Sequence, residues 1–138
     1  MTLKELSQLY YLNREIEMDK ERLEALRARA SAPGSPNYDG MPKSPSYENR
    51  LERYIAEIVD LEAIISLKIQ QCLHERNRLE RYIADIPDSL TRQIFTLRFI
   101  NGFTWDACAA HIGGMNTGKN LSNICYRYIQ STNKNETN

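Results

Sequence analysis

Apolar residues recur at helical spacing along most of this chain, and the pattern predicts an all-α protein. From Thr2 to about Ala30 they lie three and four positions apart with a charged opposite side, which indicates one amphipathic helix. From Ser44 to Ile86 apolar or small residues recur every seven positions, at Leu51, Ile58, Ile65, Cys72, Leu79 and Ile86. A companion series completes a predicted heptad seam, namely Ile55, Glu62, Ile69, Arg76 and Ile83.

Proline and glycine separate these two stretches, because residues 31–45 hold four of the five prolines and two of the six glycines. A proline cannot continue a helix, since it lacks the amide proton and clashes with the preceding turn. The segment is therefore predicted to be a loop. Ser44 is predicted to cap the second helix and Pro45 to be its first residue.

The two long helices are expected to form a coiled-coil-like helical hairpin over residues 1–86. A helix of about 40 residues extends roughly 60 Å, so the first helix covers only part of the second. We expect the uncovered apolar stripe to meet another copy of the chain, most simply in a two-fold dimer. The alternative is that the seam is satisfied within one chain. The candidate residues of the uncovered stripe are Ile64, Ile65, Ile69 and Leu73.

The last third of the chain predicts shorter helices. Pro87 interrupts the seam, and Asp88 or Ser89 is placed to cap a third helix over residues 90–101. Gly102 is predicted to end that helix. Trp105, a few residues further on, is expected to pack beneath it as part of the core.

Two further helices joined by a glycine turn predict a helix-turn-helix domain over residues 87–130. Thr104 is predicted to cap a short helix over 105–112, and Thr117 a final helix over about 118–130. The small Ala109 is expected where the two helices cross, and Gly113 supplies the backbone conformation that reverses the chain. The polar residues 131–138 are predicted to be a disordered tail.

The final helix carries polar side chains that suit a nucleic-acid groove. Asn pairs bidentately with adenine, Lys and Arg pair with guanine or phosphate, and Ser and Tyr bond phosphate oxygens. We therefore expect double-stranded DNA as a partner. The candidate DNA-binding residues are Thr117, Lys119, Asn120, Ser122, Asn123, Tyr126 and Arg127.

The charge distribution permits this partner only in the last third of the chain. The whole chain carries 18 Lys and Arg against 18 Asp and Glu, whereas residues 87–138 hold five basic and three acidic side chains. Such a small surplus permits nucleic-acid binding without demonstrating it, because sequence-independent affinity grows with the number of phosphates neutralised.

Other classes of function are not expected. No apolar run approaches the roughly 18 residues of a membrane span, and the N-terminus has no apolar signal core. The three cysteines, Cys72, Cys108 and Cys125, form no CxxC pair, so no disulfide framework is expected and the cytoplasm is the predicted compartment. His74 and His111 lack a second ligand at suitable spacing. Without a phosphate-cradling glycine loop or a Ser-His-Asp order, we expect no enzyme, cofactor, metal or small-molecule substrate.

Two segments resemble a known family: DSLTRQIFTLRF at residues 88–99 and GFTWDACAAHIG at residues 102–113. They are similar to the region-four domain of sigma factors, and more so to the small phage and prophage sigma-like regulators of Gram-positive bacteria. The turn GGMNT at residues 113–117 is similar to the turn of those phage proteins. The resemblance covers residues 86–130 and implies DNA binding and transcription regulation, with RNA polymerase as a second candidate partner.

Two features depart from that family's pattern. The turn at residues 113–116 is longer than in compact helix-turn-helix units, and the predicted final helix carries one Lys and one Arg, fewer than sigma domains often have. Weak or partner-assisted DNA binding is therefore expected.

Two other functions stay open. In the first, the helix-turn-helix docks a protein and the coiled coil carries the function of a scaffold. In the second, the chain is a small DNA-packaging subunit of the terminase type, although the usual order there places the DNA-binding part first. A ring of many subunits would favour the packaging subunit, and a dimer would count against it.

Overall fold

A computed structural model of the chain describes residues 1–32 and 45–137, and every regular element within these ranges is helical. The predicted all-α fold class is confirmed for this part of the chain. Ser44 and most of the predicted loop lie outside the described residues. The α-helices are α1 Leu3–Leu6, α2 Gln8–Ser31, α3 Pro45–Ala84, α4 Ser89–Phe95, α5 Trp105–Ile112 and α6 Gly118–Glu136, and a π-helical segment, Thr96–Ile100, follows α4 directly.

The chain divides into two compact units. The first comprises Met1–Asn13 together with Gln71–Asn138, and the second comprises Arg14–Gln70. The predicted boundary between residues 86 and 87 does not coincide with this division. The reason lies in packing, because Leu6 and Leu9 of the N-terminal segment are buried in the core that the C-terminal helices form.

In the second unit, α2 packs antiparallel to α3. The predicted apolar side of α2 is buried there, at Ile16, Leu23 and Leu26, and Leu61 and Ile65 of α3 are buried as well. Charged side chains border this seam and fix the direction of the pair. Lys68 Nζ lies 2.5 Å from Asp19 Oδ2, and Arg27 Nη2 lies 3.0 Å from Glu62 Oε1. The hydrogen bond to Asp19 raises the pKa of Lys68.

The companion series of the heptad seam differs from the prediction. The first series, from Leu51 to Ile86, is buried or half-buried throughout, as expected. Its companions, however, lie three positions after each member rather than four, and all are buried or half-buried: Tyr54, Leu61, Lys68, Glu75 and Tyr82. Lys68 buries its apolar stem while its ammonium group bonds to Asp19, and Tyr82 is half-buried with its hydroxyl buried as well. A strictly apolar pattern reveals neither position. Of the predicted companions only Ile83 is buried, whereas Ile55, Glu62, Ile69 and Arg76 are exposed.

The first unit is organised around Phe95, which is fully buried. Its ring meets the rings of Phe99 and Tyr128 edge to face, with centroids 5.2 Å and 5.6 Å away. Such edge-to-face pairs add to the stabilisation that burial alone provides. The other buried members of this core are Leu6, Leu9, Leu79, Ile83, Ile86, Ile94, Cys108, Leu121, Cys125 and Ile129.

The predicted third helix is present but changes its hydrogen-bond pattern midway. Asp88 caps α4 as expected, accepting hydrogen bonds from the Thr91 backbone N–H at 2.9 Å and the Thr91 hydroxyl at 2.7 Å. From Thr96 the helix is π-helical, and the Asn101 N–H bonds back to the Thr96 carbonyl. Gly102 follows with φ of 71°, a left-handed conformation that glycine adopts without steric cost.

The final helix is longer than the sequence predicts. α6 continues to Glu136, so the prediction of a disordered tail was wrong for residues 131–136. The Thr132 hydroxyl donates to the Tyr128 carbonyl at 2.9 Å, inside the helix, and Asn133 accepts a hydrogen bond from the Met1 amino group at 3.3 Å. These contacts hold a polar stretch that hydrophobic periodicity alone does not mark as helical.

Candidate nucleic-acid interface

The two C-terminal helices begin at the residues that the sequence indicates. The Thr104 hydroxyl accepts a hydrogen bond from the Ala107 N–H, and the Thr117 hydroxyl accepts one from the Asn120 N–H, each at 3.2 Å. Such caps satisfy amide protons that the first helical turn leaves without a partner. Gly113 ends α5 with φ of 75°, so its predicted role in reversing the chain is confirmed.

The close approach between α5 and α6 is made by Gly118, which the sequence reading did not single out. A β-carbon at Gly118 would lie 2.6 Å from Asp106 Oδ1 and 3.1 Å from the Trp105 carbonyl carbon. A side chain there requires the Asp106 carboxylate to move and the first turn of α5 to shift by a few tenths of an ångström. Ala109, the predicted crossing residue, is half-buried and packs against the core of the first unit. In the sequence, a glycine at the first position of a helix is only a weak indication of a close helix–helix contact, because glycine is also common in turns.

The apolar side of α6 anchors the helix. Leu121, Cys125 and Ile129 are buried in the core, and Ile124 and Tyr128 are partly buried against it, as predicted. These residues pack α6 against α4 and α5. The opposite side of the helix is thereby held toward solvent.

The exposed side of α6 carries most of the predicted DNA-binding residues. Lys119, Asn120, Asn123, Tyr126 and Arg127 are all exposed. Because successive residues of an α-helix turn by about 100°, these positions share one side of the cylinder. The structure therefore brings together two cations, two side-chain amides and one phenol on a single face.

The other two predicted residues are engaged locally. The Thr117 oxygen caps α6, and the half-buried Ser122 hydroxyl donates to the Lys119 carbonyl at 2.9 Å. Thr117 is exposed and its hydroxyl proton can still be donated outward. Ser122 lies at the edge of the face and has less to offer a ligand.

Two further residues lie on this face: Lys134 was missed because the helix was predicted to end at Gln130, and Gln130 was not among the candidates although it lies inside the predicted helix. Gln130 and Lys134 are exposed and continue the same side of α6. Lys134 adds a third cation to the face. No apolar periodicity extends past Ile129 to show that this stretch is helical. We use the name polar face for the set Lys119, Asn120, Asn123, Tyr126, Arg127, Gln130 and Lys134.

The electrostatics of the polar face favour an anion. The one acidic residue of α6, Glu136, lies off this face and its carboxylate is 3.8 Å from the Met1 amino group. The acid nearest in sequence on α5 is Asp106, whose oxygen lies at the start of α6 beside Gly118. A carboxylate near a helix N-terminus interacts favourably with the helix dipole. Three cations therefore line a face whose own helix places no carboxylate among them.

Aromatic and cationic side chains brace one edge of the polar face. The Tyr126 ring meets the Trp105 ring edge to face, with centroids 6.0 Å apart. The Arg98 guanidinium lies over the Trp105 ring, with its Cζ 4.6 Å from the ring centroid. It also donates a hydrogen bond to the Phe103 carbonyl at 2.9 Å. Trp105 is partly buried against the core, as predicted. The cation over the Trp105 ring is itself favourable, and Tyr126 packs against the same Trp105 ring.

The buried thiols of this unit, Cys108 and Cys125, are in surroundings that make them poor nucleophiles. Burial raises the pKa of Cys125 to about 12 and also raises the pKa of Cys108. Nucleophilic cysteines have lowered pKa values, because the thiolate is the reactive form. Both residues therefore serve the packing of α5 and α6.

A cavity of about 590 Å³ lies elsewhere on the first unit. Its lining includes Ile83, Leu97, Ile112, Arg92 and His111. Arg92 is already engaged, since it donates to the Ile86 carbonyl at 2.7 Å. His111 stacks on Phe103 with ring centroids 4.7 Å apart.

Searches for other kinds of site within residues 1–32 and 45–137 give negative results. No cluster of three or more His, Cys, Asp or Glu side chains is arranged to hold a metal ion in this part of the chain. None of the helices described combines the length and the apolarity that crossing a bilayer requires.

Comparison of the chain with protein-family models, with curated proteins and with solved structures finds no match in any of the three. The chemistry of α6 and its neighbours is therefore the basis for assigning a function.

Proposed function

We propose that the protein is a DNA-binding regulator of the phage type, in which α5, the turn after it and α6 form a helix-turn-helix. The observation that carries the proposal is the polar face of α6. Three cations and four neutral hydrogen-bonding side chains share this face, while the opposite side of the helix is packed in the core. A helix anchored in this way enters the major groove with its reading side chains already exposed.

The residues of the polar face divide into two roles. Lys119, Arg127 and Lys134 neutralise backbone phosphates, which supplies affinity for any duplex. Asn120 and Asn123 lie between these cations and pair with base edges, which supplies sequence preference. Thr117 and Tyr126 bond phosphate oxygens from the border of the face.

Two further features complete the proposal. The resemblance of residues 86–130 to sigma-like phage regulators favours control of transcription, with RNA polymerase as a second partner. The helical N-terminal part self-associates as a coiled-coil hairpin, most simply in a dimer that presents two recognition helices. None of the three cysteines is in a disulfide, which suits a protein of the reducing cytoplasm.

Binding to fluorescent duplexes tests the DNA-binding role. The purified protein is titrated into random and phage-derived duplexes at two salt concentrations, beside the Lys119→Ala/Arg127→Ala variant. We expect salt-sensitive binding that the variant weakens on every duplex, because two phosphate contacts are lost. The slope of log K against log salt should flatten by about two units for each α6 that contacts the duplex.

The matched control removes two cations elsewhere. Lys4 and Arg29 are exposed and lie outside α6, so Lys4→Ala/Arg29→Ala makes the same change in net charge. This variant should bind like the natural protein. Equal losses in both double variants would mean that only overall charge matters, and the recognition role of α6 would be abandoned.

Asn123→Ala separates base reading from phosphate contact. Loss of a bidentate pair with adenine should reduce preference for the selected duplex by about 10-fold or more, while binding to random duplex changes little. Equal losses on both duplexes would remove Asn123 from the base-reading set.

The protein-docking scaffold is the second candidate, and the small number of cations on the polar face favours it. Three cations make weak non-specific binding, so a protein partner could still be the main ligand of this surface. Absence of DNA binding even at low salt would transfer the assignment to the scaffold.

A further inference from the structure

Besides the buried seam, α3 carries a second stripe at heptad spacing whose eight residues are all exposed. They follow one another at alternating steps of three and four positions, the spacing that places residues on one side of a helix. The exposed fractions of its aliphatic members are 51% for Ile55, 58% for Val59, 43% for Ile69 and 58% for Leu73. We use the name outer stripe for Glu52, Ile55, Val59, Glu62, Ser66, Ile69, Leu73 and Arg76.

The outer stripe has the same chemical order from both ends. Each half consists of a charged residue, two aliphatic residues and a polar residue, and the midpoint falls at position 64. The two end charges are opposite in sign, with Glu52 at one end and Arg76 at the other. This arrangement is self-complementary only when one copy is turned end to end.

We infer that the outer stripe is an interface for a second copy of this chain, with the two α3 helices antiparallel and a two-fold axis passing between Glu62 and Ser66. The inference assigns a surface and an orientation to the self-association, and so it rests on that part of the proposed function. It does not depend on α6 binding DNA.

Packing and charge both follow from the antiparallel arrangement. In a two-fold interface, if a residue i meets j, then j meets i. Antiparallel pairing about residue 64 places Ile55 opposite Leu73 and Val59 opposite Ile69, so every aliphatic side chain meets another. It also places Glu52 opposite Arg76, whose guanidinium already pairs with Glu80 Oε1 at 3.2 Å on the same helix, so that Glu52 and Glu80 share the Arg76 charge at each of the two symmetric ends.

The parallel arrangement sets like charges together. There every residue of the stripe faces its own counterpart, so Glu52 meets Glu52, Glu62 meets Glu62 and Arg76 meets Arg76. Like charges placed in contact weaken an interface and suppress that mode of pairing. The antiparallel arrangement avoids all three contacts.

The centre of the stripe tolerates burial in the antiparallel arrangement. Glu62 already accepts a hydrogen bond from Arg27 Nη2 at 3.0 Å, so its charge is compensated within the chain. The Ser66 hydroxyl opposite it can donate a further hydrogen bond. Ala56 and Ala63 follow Ile55 and Glu62 along the helix and are exposed, and their small side chains let a second helix approach closely.

Analytical ultracentrifugation of the full chain tests the surface. Val59→Gln/Ile69→Gln replaces two aliphatic residues of the stripe by good helix formers without changing charge. We expect the dimer dissociation constant to rise by more than about 100-fold. The dimer would bury four fewer aliphatic side chains, two from each chain, and so lose their hydrophobic contribution to association. The matched control is Ile64→Gln/Leu67→Gln, at exposed positions of α3 outside the stripe, and it should dimerise like the natural chain.

Charge exchange tests the orientation. Glu52→Arg sets Arg against Arg76 in the antiparallel dimer and should raise the dissociation constant by about 2- to 30-fold, since two exposed pairs are affected. Adding Arg76→Glu restores opposite charges and should restore the affinity. In a parallel dimer the double variant would not regain affinity, because position 52 would still face position 52 and position 76 would still face position 76.

Disulfide trapping gives the contact directly. Glu62→Cys and Ser66→Cys chains, each with Cys72→Ala, are mixed and oxidised, and an antiparallel dimer joins one variant to the other faster than either joins to itself. Preferential joining of Glu62→Cys to itself would establish parallel pairing and overturn the orientation. A monomeric natural chain, or equal loss in the Ile64→Gln/Leu67→Gln control, would overturn the surface itself. In either case the binding of duplex by α6 is measured independently, so failure here is distinguishable from failure of the DNA-binding proposal.

Discussion

Gly118 decides how α6 meets α5, although its side chain is a single hydrogen. The first turn of α5 occupies the space that any β-carbon would need, including a backbone carbon that cannot turn aside. Gly113 has a different role, since its positive φ ends α5 while no atom lies near enough to crowd a side chain. One glycine is required for space and the other for backbone conformation.

Gly118→Ala should lower the free energy of unfolding by about 1–2 kcal/mol. The reason is overpacking against Trp105 and Asp106, which outweighs the better helix propensity of alanine. Urea unfolding followed by circular dichroism measures the change. The sign is informative, because the same substitution in an uncrowded helix would stabilise by up to about 1 kcal/mol. An increase in stability would show that α5 leaves room beside α6.

At the scale of elements, the caps determine where the short helices begin. Asp88 opens α4, and its hydrogen bonds from the hydroxyl and the N–H of the buried Thr91 lower the pKa of its carboxyl group. A lowered folded pKa means that the carboxylate stabilises the fold at all pH values above its unfolded pKa of about 3.9. The stabilisation is lost as the pH falls through the folded value.

The Asp88→Asn variant should therefore lose less stability in acid than the natural chain. Between pH 6 and pH 2.5 the melting temperature of the natural protein is expected to fall more steeply than that of the variant. The reason is that the Asp88 carboxylate becomes protonated in that interval, whereas the Asn side chain that replaces it does not titrate. Thermal unfolding across this range provides the measurement. Parallel curves for the two proteins would mean that the Asp88 cap does not contribute to the acid sensitivity.

The extra turns of α6 carry a prediction of their own. Since residues 131–136 are helical, Lys134 lies on the same side as Lys119 and Arg127. Lys134→Ala should weaken binding to all duplexes alike and flatten the salt slope by about one unit for each bound α6, as Lys119→Ala should. Lys4→Ala serves as the control. An unchanged slope for Lys134→Ala would place these turns outside the interface.

Periodicity and caps were enough to predict most elements from the sequence. Thr104 and Thr117 mark true helix starts, and the apolar series Leu121, Cys125 and Ile129 correctly separates the two sides of α6. The wrong predictions concern positions where a polar side chain lies in a seam or continues a helix although an apolar residue was expected there. Lys68 lies in the seam because Asp19 partners its charge, and Thr132 continues α6 because its hydroxyl bonds back to the helix. Contacts between residues distant in sequence, such as Leu6 with the C-terminal core, leave no periodic trace at all.

For the molecule as a whole, equal numbers of acidic and basic side chains conceal a specific distribution. The polar face of α6 collects three cations, whereas the outer stripe of α3 places its two carboxylates and its single Arg among aliphatic residues. One surface therefore responds to salt and the other mainly to the burial of apolar area. The proposed self-association and the proposed DNA binding should therefore be separable by ionic strength.

A dimer doubles the number of phosphate contacts. With three cations on each protomer, the slope of log K against log salt on a duplex with two sites should reach about −5, and for a monomer about −3. The Val59→Gln/Ile69→Gln variant supplies the monomer without altering charge. The two slopes are measured by titrating both proteins into the same duplex over a series of salt concentrations. Identical slopes would mean that only one α6 of the dimer contacts DNA.

Trp105 gives the protein a built-in optical reporter. It is the only tryptophan in the sequence, and its ring contacts both the Arg98 guanidinium and the ring of Tyr126, which belongs to the polar face. A ligand that orders or displaces Tyr126 changes the surroundings of the indole and with them the wavelength and yield of its emission. Events on α6 can thus be followed in the unlabelled protein by its own fluorescence.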